Sequence, residues 1–128
     1  MIKLNLPWPP SWNHIYGIGK GKVYKKKAAH EFAVEVRLAI AKKRGWEGFG
    51  SSRVEVDIQA YPPDRRKRDL DNIQKILLDS LQDAGIYKDD CQVDKITISR
   101  GPVVPEGMLV VDIKQRCHYL IIGLAFKV

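Results

Sequence analysis

The sequence predicts one two-layer α+β domain, with elements in the order β-α-β-α-β-β and two helices packed on a mixed or antiparallel sheet. Three observations predict it. Apolar and polar residues alternate with period two in several short runs, most clearly in VEVDIQA from Val54 to Ala60. Two longer segments carry apolar residues at helical spacing, and clusters of proline or glycine separate the runs. With 128 residues, 45% of them hydrophobic and 29% charged, the chain can bury one core but not two.

Taken in order, Ile2, Leu4 and Leu6 alternate with Lys3 and Asn5 as in a half-buried strand, which Pro7, Pro9 and Pro10 end. WPPSWNHIYGIGKGKVYKKK then reads as a loop rich in glycine, lysine and aromatics. From about Ala28 to Arg44, Phe32, Val36, Ala39 and Ile40 line one side of a helix while Glu35, Arg37, Lys42 and Lys43 lie off it, and Gly45 is its stop. The strand at Val54 to Ala60 ends at Pro62 and Pro63. A second helix from Asp71 to about Ala84 gathers Ile73, Ile76, Leu77 and Leu81 on one face and stops at Gly85. VDKITIS (Val93 to Ser99) and MLVVDI (Met108 to Ile113) are two further strands joined by the turn GPVVPEG. The domain so read covers residues 1–116. The segment 117–128, CHYLIIGLAFKV, fits a last strand, a dimer contact or sequence foreign to the domain equally well.

Charge is unevenly placed. The net charge is +7, but Met1 to Arg44 holds ten Lys or Arg against two acids, while the remainder is balanced to within one charge. A basic lobe of this kind suits a polyanion, nucleic acid before membrane, although a merely soluble surface explains it as well. Cys91 and Cys117 form no CxxC pair and have too little histidine nearby for a zinc site. The start MIKLNLPWPP lacks the apolar run of a signal peptide, so the expectation is the cytoplasm; LIIGLAF at Leu120 to Phe126 is too short to span a bilayer.

The chemistry concentrates in DRRKRDLDNIQK, Asp64 to Lys75. Asp69 and Asp71 flank the start of the second helix, and one of them can cap it. A cap needs only one carboxylate. Two close together repel unless a cation sits between them, and Mg2+ takes one or two carboxylates together with water and phosphate. Asp89 and Asp90, in the loop IYKDDCQV, complete a three-carboxylate set if that loop folds back in extended form along a helix about 20 Å long. Lys75 is one helical turn from Asp71: a surface ion pair with Asp71 or Asp79, or a contact to a scissile phosphate. Asn72 starts the helix or contacts phosphate. The cations Arg65, Arg66, Lys67 and Arg68 are either a solvated loop or a grip on a nucleic-acid backbone. The same two readings hold for Lys20, Lys22, Lys25, Lys26 and Lys27, which interleave with Tyr24 and follow Trp8, Trp12 and Tyr16; these aromatics stack on unpaired bases or serve the loop's own core. His14 and His30 stand alone as surface groups.

The string PPDRRKRDLDNIQKILLDSLQDAGIYKDDCQV, Pro62 to Val93, resembles the core of the RusA family of Holliday junction resolvases, and LPWPPSWN resembles that family's opening segment. With VDIK, the resemblance runs from about Leu4 to Lys114. It implies a homodimeric endonuclease that uses Mg2+, or Mn2+ in its place, to resolve four-way DNA junctions by paired symmetric nicks. Residue by residue, it implies Asp69, Asp71 and Asp90 as essential carboxylates holding the metal, and Lys75 as the essential lysine. Branched-DNA binding without cleavage, or flap and single-strand cleavage, are the alternatives that an assay must separate.

Overall fold

The computed structural model describes residues 1–10, 16–19, 22–25, 27–43 and 45–116, with backbone alone at 16–19 and 22–25. Its elements are β1 (Ile2–Pro7), β2 (Tyr16–Gly19), β3 (Lys22–Lys25), α1 (Lys27–Ala41), β4 (Val54–Tyr61), α2 (Leu70–Asp83), a 3-10 turn (Asp90–Gln92), β5 (Val93–Arg100) and β6 (Met108–Gln115). The predicted order of six elements holds. The addition is the hairpin of β2 and β3, antiparallel with Tyr16 opposite Lys25 and Gly19 opposite Lys22, in the stretch read from sequence as loop. Only four residues of each strand pair, and the glycines and lysines mixed among Tyr16, Ile18, Val23 and Tyr24 obscure their alternation. The segment 117–128, together with Trp12 and His14, lies outside the described residues.

The main sheet has the order β1-β6-β4-β5. β1 and β4 flank β6 antiparallel, and β5 runs parallel to β4, so α2 is the crossover that a parallel pair requires. Register explains the single core. Leu6, Leu109 and Ala60 form one cross-strand row; Leu4, Val111, Ile58 and Ile98 form the next; Ile2, Ile113, Val56 and Ile96 form the third. All occupy one face, and the members of these rows from β1, β4 and β6 are buried. Phe32, Ala33 and Val36 of α1 and Ile73, Ile76, Leu77 and Leu81 of α2 are buried with them. The opposite face carries Lys3, Asn5, Asp57, Thr97 and Lys114, all exposed, as a largely antiparallel sheet with one wet side permits.

The end of α2 is a Schellman motif. Gly85, at φ +81, donates its N–H to the Gln82 carbonyl (3.0 Å), and Ile86 donates to the Leu81 carbonyl (3.1 Å). Ile86 and Tyr87 are thereby buried under the helix end, and the Tyr87 hydroxyl donates to the Leu78 carbonyl at 3.0 Å. This reversal decides where the following Asp89 and Asp90 are placed. Among the described residues, no helix is long and apolar enough to cross a membrane.

Candidate active site

Asp69 holds the N-cap position of α2 with extended backbone (φ −90°, ψ 130°), yet its side chain makes no capping hydrogen bond. Of the two roles open to it from sequence, capping is therefore unused. Asp71, in the first turn, is exposed, and so is Lys75 one turn further along the same helix. Asp69 and Asn72 face a cleft of about 280 Å3 walled by Trp8, Pro9 and Pro10 on one side and Ile73 and Ile76 on the other. Because α2 starts just beyond the carboxyl end of β4, the site sits at the edge where β4 and β5, the parallel pair, both end.

Asp64 organises the basic run that follows it. Its Oδ1 accepts the Arg66 backbone N–H at 3.0 Å, an Asx turn, and its Oδ2 accepts Arg66 Nε and Nη2 at 3.1 and 2.9 Å. Arg68 Nη1 lies 2.7 Å from Asp64 Oδ1 and also reaches the Asp64 and Arg66 carbonyls at 3.2 Å each. These bonds hold the Asp64 carboxyl well below the ordinary carboxylate range, Arg68 contributing most and Arg66 next. They also fix the Arg68 guanidinium 5.5 Å from the centroid of the Trp8 ring. Trp8 itself is half-buried against the core, the structural role open to it from sequence. The four cations are thus not equivalent. Arg66 and Arg68 are tied to Asp64, while Arg65 and Lys67 are exposed with no partner among the described residues.

Of the other predicted DNA contacts, Lys20 and Lys26 fall outside the described residues, and Lys22 and Lys25 lie on β3 with only their backbone described. Lys27 opens α1, largely exposed, in an ion pair with Glu31 at 3.8 Å.

Asp90 is not brought beside Asp69 and Asp71 within the chain. Its backbone N–H donates to Gln82 Oε1 at 2.9 Å, in the last turn of α2, and the like charges that act on it are those of Asp89 and Asp79. Desolvation first, and then Asp89 and Asp79, push its carboxyl above the ordinary range; Asp89 is held low, chiefly by the Cys91 backbone N–H (2.9 Å). The extended return along the helix does not occur because the Schellman reversal is followed by a second tight structure. Asp89 and Gln92 form a capping box around the 3-10 turn, which keeps the loop at the helix end. Among the described residues, no group of three or more His, Cys, Asp or Glu side chains is arranged to hold a metal ion.

Gln92 has no role readable from sequence beyond its place in the string DDCQ. Buried between two loops, its Oε1 accepts the N–H groups of Lys88 and Asp89 (2.9 and 3.0 Å) while its Nε2 donates to the carbonyls of Gly50 and Ser52 (2.8 Å each). All four capacities of the amide are spent. Gln92→Leu, similar in size but without donor or acceptor, is expected to lower the unfolding free energy by about 1–3 kcal/mol, read from the urea midpoint. An unchanged midpoint would mean that water replaces the amide at no cost.

The family model described as Endodeoxyribonuclease RusA matches residues 7–114. The chain belongs to the RusA family. The crossover junction endodeoxyribonuclease RusA of Escherichia coli strain K12 is 34% identical over 113 residues, covering 88% of this chain and 92% of the relative. That of Enterobacteria phage HK97 is 38% identical over 110 residues, covering 86% and 91%. The RusA match thus takes in α2, both carboxylate positions and the Asp90 turn, and it stops at residue 114, near the end of β6.

Asp69 and Asp71 fit a hard divalent cation. They are two exposed oxygen donors, two residues apart at a helix start, and neither makes a hydrogen bond or ion pair with a described residue. Mg2+ commonly takes one or two carboxylates from protein, so this pair supplies enough donors to hold it, with water, phosphate or a further carboxylate in the remaining positions.

Proposed function

We propose that this chain is a Mg2+-dependent endonuclease that resolves four-way DNA junctions by paired symmetric nicks, acting as a homodimer. The observation that carries the reading is the uncapped Asp69 beside Asp71, at a strand-end cleft bordered by arginines. Asp69 and Asp71 would hold the metal, which when bound supplies a water made nucleophilic at neutral pH and a shield for phosphate charge. Mn2+ would serve in the same place.

The protein's own residues do the rest. Lys75 adds a positive charge one turn from Asp71, suited to the charge that builds on a phosphate under attack. Arg65 and Lys67 present exposed cations to the backbone that leads into the cleft. Trp8, held under Arg68, gives the cleft a rigid wall. A junction must be cut on two symmetry-related strands, and a closed two-fold dimer presents two equivalent sites. The dimer has further support in the distance of Asp90 from Asp71: a third carboxylate can come from the partner when its own chain holds it at the far end of α2.

The test is a cleavage assay with Mg2+ on synthetic four-way junction, flap, single strand and linear duplex of matched sequence. Paired nicks in the junction, with the duplex intact, are expected. Faster cleavage of flap or single strand would replace the resolvase reading, and binding without any product would leave a branched-DNA-binding module.

A further inference from the structure

Beside the Asp69 cleft lies a second one, of about 290 Å3. Trp8, Arg68 and Ile73 line both, so the Arg68 and Trp8 pair is their common wall. The second cleft takes its charge from Arg65, Arg66, Arg68 and Arg100, with Asp64 as its one lining acid. Four guanidiniums against one carboxylate leave three positive charges in a concave space.

Arg100 is there for a reason that starts in the sheet. It pairs with Ala60 on the face where Ile96 and Ile98 pack against the core. At that register position an arginine at the strand end emerges beyond the core instead of entering it, and Arg100 is exposed. Its Nη2 donates to the Arg68 carbonyl at 2.6 Å, which is the carbonyl of the peptide leading into Asp69. The next residue, Gly101, packs against Tyr61: a Cβ there would come within 2.6 Å of the Tyr61 ring, so this side of the cleft takes glycine unless the ring shifts. Arg66 spends Nε and Nη2 on Asp64, and Arg65 has no described partner. Arg65 and the Nη1 groups of Arg66 and Arg100 therefore remain available, beside the peptide that leads into a carboxylate of the candidate active site.

We propose that the arginine cleft holds a backbone phosphate of the bound DNA next to the one presented to Asp69 and Asp71, with Arg100 as a DNA-contacting residue. The inference rests on the nuclease reading above. A phosphate suits the site because guanidinium forks match its oxygens, and because a nucleic-acid strand entering the Asp69 cleft carries further phosphates past the shared wall. The cleft also explains a division of labour within the run: Asp64 does not cancel the cations but fixes Arg66 and Arg68 as sides of the cleft.

Equilibrium binding of a four-way junction, measured without divalent metal across a series of KCl concentrations, tests this with Arg100→Gln and Arg100→Lys. Loss of one phosphate contact reduces the steepness of log K against log salt by about 0.9, so Arg100→Gln, which removes one contact from each subunit of the proposed dimer, is expected to reduce it by about 1.8, with binding near 0.1 M salt weaker by roughly five- to tenfold per contact. Arg100→Lys keeps the charge and is expected to keep the slope. Glutamine can still donate to the Arg68 carbonyl, so a purely structural role would leave the slope unmoved. Should Arg100→Gln fail to fold, Val103→Glu, at an exposed position that lines this cleft and not the Asp69 cleft, sets an acid against the phosphate and is expected to weaken junction binding and lower the slope likewise. A parent protein that binds the junction while the folded variant keeps the full slope overturns the arginine cleft alone; a parent that binds no junction overturns the nuclease reading together with it.

Discussion

Asp71→Asn is expected to cut junction cleavage by about a thousandfold or more while leaving the protein folded and bound to DNA. A thousandfold is about 4 kcal/mol in the barrier. Asparagine has the same shape but no charge, so it weakens a hold on a divalent cation. The competing role for Asp71 is electrostatic support of the α2 N-terminus, and its loss costs about 0.3–1 kcal/mol of stability. The two roles therefore give opposite patterns. A site residue shows a large loss of rate with a urea midpoint almost in place, whereas a helix-start residue shows a small midpoint shift and an unchanged rate. Single-turnover cleavage and urea unfolding on one preparation separate them. The exposure of Asp71, and the absence of any hydrogen bond or ion pair to it from a described residue, are why the first pattern is expected.

The sheet and both helices were legible because burial imposes a period. Ile2, Leu4, Leu6 and Val54, Val56, Ile58, Ala60 alternate, and the structure pairs the same residues into cross-strand rows on one buried face. Gly85 was legible as a stop because a left-handed residue is what a Schellman end requires. The hairpin of β2 and β3 was not, since short strands with two glycines carry little pattern.

At the site, residue types were readable and spatial relations were not. Asp69 and Asp71 were readable as two carboxylates at a helix start, one at the N-cap and one in the first turn. Which cations were already engaged depended on Asp64, whose carboxylate collects Arg66 and Arg68 through a turn that composition does not reveal. Arg100 lies 32 residues from Arg68 in sequence, and only the register of β5 with β4 brings the two together. Asp90 was legible as a member of a carboxylate motif, but its place depended on the amide of Gln92 and the reversal at Gly85.

That last placement leads to the second large effect. An equal mixture of Asp71→Asn and Asp90→Asn chains, co-refolded, is expected to regain junction nicking that neither variant shows by itself. α2 has 14 residues and is about 21 Å long, with Asp71 in its first turn and Asp90 bonded to Gln82 in its last. Swinging Asp90 to the other end would break the capping box, the four bonds of Gln92 and the Gln82 contact together. A loop so anchored is a poor candidate for rearrangement, so the proposed three-carboxylate site is more readily completed across a two-fold axis by the partner. In a mixed dimer one such shared site carries both substitutions and the other carries neither. Half of randomly paired dimers are mixed, so roughly a quarter of all sites are intact, and each intact site nicks one strand of the junction without its pair. If each chain held a complete site of its own, every site in the mixture would be damaged. A mixture as inactive as its two components, from a protein that sediments as a dimer, would place all three carboxylates within one chain and require the Asp90 loop to move on binding DNA.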